Sequence, residues 1–148
     1  MRQVLFLCSG NYYRSRFAEE LFNHLAEARN VPWRADSCGL KVDEGSGNNV
    51  GPLSRWAQAG LAERGLQARG AQRMPRQVTD ADLAAAAVVV AVKESEHRPL
   101  LQKRHPAWEA RVRFWGVHDL DCAQPPEALA DLERLVRMLL SELTAWPG

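Results

Sequence analysis

A chain of 148 residues, 46% apolar and 25% charged, is long enough to bury a real core, and residues 1–148 read as one soluble domain. A formal net charge of +1 offers no general attraction for nucleic acid or a membrane surface. The longest apolar run, Leu83 to Val92, falls far short of the ~20 residues that span a bilayer. Cys8, Cys38 and Cys122 lie far apart with no CxxC pair. That pattern argues against a disulfide framework or a zinc site and for a reducing, cytoplasmic setting. The first apolar run is also too short for a secretory signal.

In chain order, VLFL (Val4 to Leu7) is an unbroken apolar run and predicts a buried strand. A polar turn follows, and from Ser15 to about Arg29 the residues Phe17, Leu21, Phe22 and Leu25 share one helical face. Pro32 interrupts the chain before a second strand from Trp33 to Cys38. KVDEGSGNNVGP (Lys41 to Pro52), rich in glycine and asparagine, predicts a long surface loop. Leu53 to Arg64 predicts a helix with Leu53, Trp56, Ala57 and Leu61 on one face, ended by Gly65. Thr79 and Asp82 form a weak capping box for another helix. AVVVAV (Ala87 to Val92) is the clearest buried strand, and ESEHRPLLQKR opens a further helix whose first turn is restricted by Pro99. RVRFWGV (Arg111 to Val117) predicts a fourth strand. After Pro125 and Pro126 comes an amphipathic helix lined by Leu129, Leu132, Leu135, Val136, Leu139 and Leu140.

Strands alternating with helices predict an α/β fold, a single-domain three-layer α/β/α arrangement with a four-stranded parallel sheet. In such sheets ligands sit beyond the carboxyl ends of the strands. The segments to inspect are therefore Cys8 to Ser15, Ser37 to Leu40, Lys93 to Glu94 and His118 to Asp121.

CSGNYYRS (Cys8 to Ser15) stands between the first strand and the first helix, and its pattern is C-x5-R-S. A turn of this length can point successive backbone N–H groups into one concavity, and the helix N-terminus adds partial positive charge. Gly10 and Asn11 tolerate the backbone angles such a loop requires. Arg14 offers a planar fork for two phosphate oxygens. The same field stabilises a thiolate at Cys8, to which Ser15 can donate a hydrogen bond. Elsewhere, His97 and His105 read as surface or capping residues, since neither directly follows a strand. Arg55, Arg64, Arg69, Arg73 and Arg76 read as a solvated helix and loop surface, and Trp33, Trp56 and Trp108 as packing residues.

LFLCSGNYYRSRFAEELF resembles the opening of the low-molecular-weight protein tyrosine phosphatases, whose signature is close to V-C-x-G-N-x-C-R-S-P. Cys8, Gly10, Asn11, Arg14 and Ser15 carry the match. DSCGL (Asp36 to Leu40) stands where the family usually has S-A-G, and AVVVAV continues the likeness loosely. The resemblance implies a cysteine-dependent phosphatase that forms a phosphocysteine intermediate, with protein phosphotyrosine as substrate. In this reading Cys8 is the nucleophile and Arg14 with the loop amides holds the phosphoryl oxygens. Ser9, Gly10, Asn11, Tyr12, Tyr13 and Ser15 are substrate-binding. The general acid is Asp119, after Val117, with Asp121 as a competitor; Leu120 stands where the family's D-P proline is usual. No metal or other cofactor is expected. The partners expected are a phosphorylated protein or a small phosphomonoester, with no nucleic acid or membrane, and the chain is expected as a monomer or weak homodimer.

This sequence departs from the family at Tyr13, which replaces a second loop cysteine, at Arg16, which replaces the usual proline, and at Tyr12, where a smaller residue is usual. The aromatic pair after the D-P motif is also absent. Two alternatives stand beside the phosphatase: an arsenate reductase on the same fold, for which Cys38 and Cys122 lack the close spacing of relay cysteines, and a phosphate-binding regulatory protein with weak or no turnover.

Overall fold

The computed structural model describes residues 1–45, 47, 49–119 and 124–145. Its strands are β1 (Arg2–Cys8), β2 (Trp33–Gly39), β3 (Val88–Ala91) and β4 (Val112–Phe114), and its α-helices are α1 (Arg14–Ala28), α2 (Arg55–Glu63), α3 (Asp80–Ala85), α4 (Glu94–Arg104) and α5 (Pro125–Thr144). The described strands form one parallel sheet in the order β2-β1-β3-β4. This is the α/β arrangement expected from the alternation of strands and helices.

Period-two side-chain alternation explains why β1 is apolar throughout. Val4, Phe6 and Cys8 face one layer with Phe17, Leu21, Phe22, Leu132 and Val136, whereas Leu5 and Leu7 face the other with Leu83 and Leu101. Both faces of a central parallel strand are therefore covered, by α1, α2 and α5 on one side and by α3 and α4 on the other. Phe6 meets Phe22 edge-on at 6.0 Å between ring centroids, and burying each such ring contributes roughly 1.5–3 kcal/mol. Trp33 is in this core as expected, but Trp56 is 38% exposed, because α2 turns Ala57, Gly60 and Leu61 inward instead.

From β1 the chain crosses to β2 on one side and then to β3 on the other, so β1 marks the switch point of the sheet. The loop after β1 and the start of α4 after β3 consequently face each other across one crevice. Helix α4 runs through Pro99, which stands in its sixth position. Thr79 and Asp82 make the expected capping box at the start of α3. Among the described residues no helix is long and apolar enough to cross a membrane.

Candidate active site

Residues 9–13 leave β1 and wrap back into the N-terminus of α1. Among the described residues no side-chain cap hydrogen bond is made at the N-cap of this helix, Tyr13, which leaves first-turn amides open to an anion. Asn11 takes a left-handed conformation, φ 50°, that asparagine tolerates better than most residues. It is fully buried, and its side-chain amide is saturated. Oδ1 accepts from Arg73 Nη1 (3.1 Å) and from the Arg76 backbone N–H (3.0 Å), while Nδ2 donates to Ser15 Oγ and Ser37 Oγ, both at 2.9 Å. Because Arg73 and a backbone N–H only donate, the orientation of the amide is unambiguous. The Asn11 side chain therefore has no capacity left for a ligand; it shapes the loop, and only its main chain can face a phosphate.

Ser15 Oγ lies 3.0 Å from Cys8 Sγ. A thiolate has no hydrogen, so with Cys8 ionised the hydroxyl donates to the sulfur while it accepts from Asn11. The loop is pressed against the end of β2, where the Leu40 N–H donates to the Cys8 carbonyl and the Lys41 N–H to the Ser9 carbonyl. Only a glycine fits at position 39, where a Cβ would stand 2.9 Å from the Ser9 oxygen and 3.0 Å from the Asn11 nitrogen.

Arg14, 2% exposed, opens α1 and joins the segment Cys8 to Ser15 to the segment His118 to Asp121. Its Nη1 donates to the Val117 carbonyl (3.1 Å) and its Nη2 to Glu96 Oε2 (2.6 Å) and Asp119 Oδ2 (3.4 Å). Neighbouring carboxylates and the Cys8 sulfur raise the guanidinium pKa against the opposing effect of burial, so it stays charged. Cys8, Gly10, Tyr12, Tyr13, Arg14 and Asp119 line one cavity of about 830 Å³. Asn49, Val50, Leu53, Ser54, Arg55 and Trp56 complete its wall. The Tyr12 hydroxyl donates to the Val50 carbonyl at 2.5 Å and ties the loop to that wall. The Arg55 guanidinium lies 4.6 Å above the Trp56 ring at the mouth. Tyr13 is 5% exposed with no hydrogen-bond partner for its hydroxyl among the described residues. Burial, reinforced by the Asp119 charge, pushes that phenol up to about 12.

A cysteine sulfur, a guanidinium, uncapped helix amides and a carboxylate thus share one cavity, an arrangement able to bind a phosphoryl group and attack it. A family model described as low molecular weight phosphotyrosine protein phosphatase matches residues 3–144. The chain belongs to this family. Among curated low molecular weight phosphotyrosine protein phosphatases, that of Rattus norvegicus is 31% identical over 122 residues, covering 80% of this chain and 73% of the relative. The low molecular weight protein tyrosine phosphatase of T. tengcongensis has the same fold, with a TM-score of 0.80, 23% identity and coverage of 96% of this chain and 99% of that one. A YwlE arginine phosphatase mutant with a phosphorylated active-site serine also shares the fold, with a TM-score of 0.77, 19% identity and coverage of 96% and 95%.

The low molecular weight phosphatase site of this chain differs from the sequence reading in several places. His97 is fully buried beside Ser9 and Glu96, so of the surface and capping readings only the capping one holds. The first turn of α4 lies in the crevice beside β1, and His97 Nδ1 accepts the Lys93 N–H from one turn earlier. Arg73 departs from the solvated surface expected of it, being half-buried and donating to Asn11 Oδ1 and Ser37 Oγ, whereas Arg76 stays exposed as expected and pairs with Asp36, the segment 76–78 running beside the end of β2. Arg16 is 1% exposed and donates to the carbonyls of Asn11, Pro52, Gly70 and Arg73. Burial lowers its pKa, and the nearby Arg73 charge adds to the effect. Glu96 escaped notice because it lies one helical turn past the strand end; extending the search at each strand end by that turn would have found it. Asp121 and Cys122 lie outside the described residues. Cys38 sits on the opposite face of the sheet from Cys8, so it is no partner for that sulfur.

Proposed function

We propose that this phosphatase hydrolyses phosphomonoesters through a phosphocysteine intermediate, with tyrosine-phosphorylated protein as its substrate. The observation that carries the reading is the meeting of Cys8, Arg14 and Asp119 in one cavity. The Cys8 thiolate attacks phosphorus, the P–O bond to the leaving group breaks, and Asp119 gives its proton to the departing oxygen. Arg14 and the main-chain amides of Ser9, Gly10, Asn11, Tyr12 and Tyr13 balance the charge on the equatorial oxygens. Ser15 stabilises the thiolate as nucleophile and again as leaving group. In the second half Asp119 takes a proton from water, the water oxygen bonds to phosphorus, and the P–S bond breaks to release inorganic phosphate. The phosphorylated active-site serine of the YwlE mutant, a neighbour in fold, supports a covalent intermediate.

The wall supports an aryl substrate. Tyr12, Leu53 and Trp56 line the cavity and offer a phenyl ring apolar surface. Assays with p-nitrophenyl phosphate, a phosphotyrosine peptide and a phosphoarginine peptide test this reading. We expect hydrolysis of the first two, loss of turnover in Cys8→Ser, and a drop of roughly 10²–10³-fold in Asp119→Asn that is larger for the phosphotyrosine peptide, whose leaving group needs the proton more. Full activity in Cys8→Ser rejects the covalent mechanism. Tight vanadate binding without hydrolysis at any pH from about 5 to 8 favours the regulatory alternative, and a preference for phosphoarginine rejects the aryl substrate.

A further inference from the structure

A carboxylate that no motif predicts touches the candidate phosphate-binding arginine. Glu96 Oε2 accepts from Arg14 Nη2 (2.6 Å) and from Ser9 Oγ (2.9 Å), and the same oxygen lies 2.7 Å from His97 Nε2. The proton positions on His97 follow from its partners. Nδ1 accepts the Lys93 N–H at 3.0 Å, so it carries no hydrogen, and the neutral ring holds its proton on Nε2, facing Glu96. Burial lowers the pKa of His97, which keeps this neutral tautomer in place. Burial by itself would raise the Glu96 pKa, but the hydrogen bonds from His97 and Arg14 and the Arg14 charge outweigh it, and the side chain is held as a carboxylate well below the usual range.

We infer that Glu96, seated on His97, is a positioning residue for Arg14: it sets the plane of the guanidinium and moderates its charge, so that phosphate is gripped for transfer and then released. The inference rests on the phosphatase reading above. The Val117 carbonyl and Glu96 come from different elements and hold Nη1 and Nη2 respectively, which fixes the fork from two directions. Without Glu96 the remaining carboxylate on Nη2 among the described residues is Asp119, the candidate acid, and Arg14 would settle toward it. Glu96 also places a full negative charge on the arginine before any phosphate arrives, which weakens the hold on the product dianion.

The geometry allows position and charge to be separated. Ser9, Arg14 and His97 all meet Oε2, so Glu96→Gln with its carbonyl oxygen there keeps the contacts and removes only the charge. Glu96→Ala removes both. Steady-state hydrolysis of p-nitrophenyl phosphate and inhibition by inorganic phosphate are measured for wild type and both variants, with thermal unfolding to confirm the fold. In Glu96→Ala we expect kcat to fall by roughly tenfold or more, and in Glu96→Gln to recover to within about threefold of wild type. In Glu96→Gln the inhibition constant for phosphate should fall by about tenfold. Equal losses of kcat in the two variants, or kcat and phosphate inhibition within about twofold of wild type in both, overturn the proposal while leaving the phosphatase intact. A wild type that neither hydrolyses the ester nor responds to phosphate overturns the phosphatase reading itself, and this inference with it.

Discussion

At the scale of single residues, the phosphate loop is governed by saturation. Asn11 uses both acceptor and both donor positions internally, so replacing it strands partners in a dry region. Asn11→Ala should cost roughly 2–3 kcal/mol of stability and most of the activity, read by urea unfolding and by kcat/KM. Ser15→Ala is a cleaner test, since it removes a hydroxyl that reaches the sulfur. We expect kcat to drop by about 10–100-fold with KM nearly unchanged, because the contact matters to the charge on sulfur more than to ground-state binding. An unchanged kcat would remove Ser15 from the mechanism. Tyr13 differs from both: among the described residues its buried hydroxyl has no partner, so Tyr13→Phe should leave stability level or slightly raised and kcat/KM close to that of wild type.

At the scale of elements, two close approaches hold the loops in register. Gly39 lets the end of β2 touch the phosphate loop, and Gly60 lets α2 cross near α1 and α5, where a Cβ would collide with Leu129 and crowd Phe17. Gly39→Ala should therefore damage activity more than stability, whereas Gly60→Ala should destabilise by about 1–3 kcal/mol with kcat retained in the folded fraction. Arg16 ties the phosphate loop to the segments around Pro52, Gly70 and Arg73 through their carbonyls. A buried guanidinium here does what a helical proline at the same position could not, because proline has no donors to offer. Arg16→Met, of similar length, should lower stability by roughly 2–4 kcal/mol and loosen the cavity wall, seen as faster proteolysis within the segment 41–76.

At the scale of the whole molecule, the packing of α4 against the phosphate loop makes stability depend on pH. His97 is buried among Glu96, Arg14 and Asp119, and its pKa is lowered chiefly by burial. The unfolded chain then binds a proton that the native state refuses, so stability is full above about 6.5 and declines as pH falls below it, toward the lowered native value. His97→Asn should flatten that decline in a series of thermal unfolding curves, and an undiminished slope would assign the dependence elsewhere. The order of strands and helices, the parallel sheet and the Cys8 to Ser15 loop were legible because strand runs, helical periodicity and C-x5-R-S are properties of neighbouring residues. Arg14 and Asp119 were legible as chemistry, and their meeting follows from the rule that strand ends share one edge. What the sequence by itself determined was this local grammar, together with the family it belongs to. Only the tertiary structure decided that Glu96 and His97 stand behind Arg14, that Arg73 saturates Asn11, and that Arg16 is a buried tie between loops. Those pairings join residues tens of positions apart, and their energies come from exclusion of water and from donor–acceptor matching, which exist only once the sheet has brought its strand ends together.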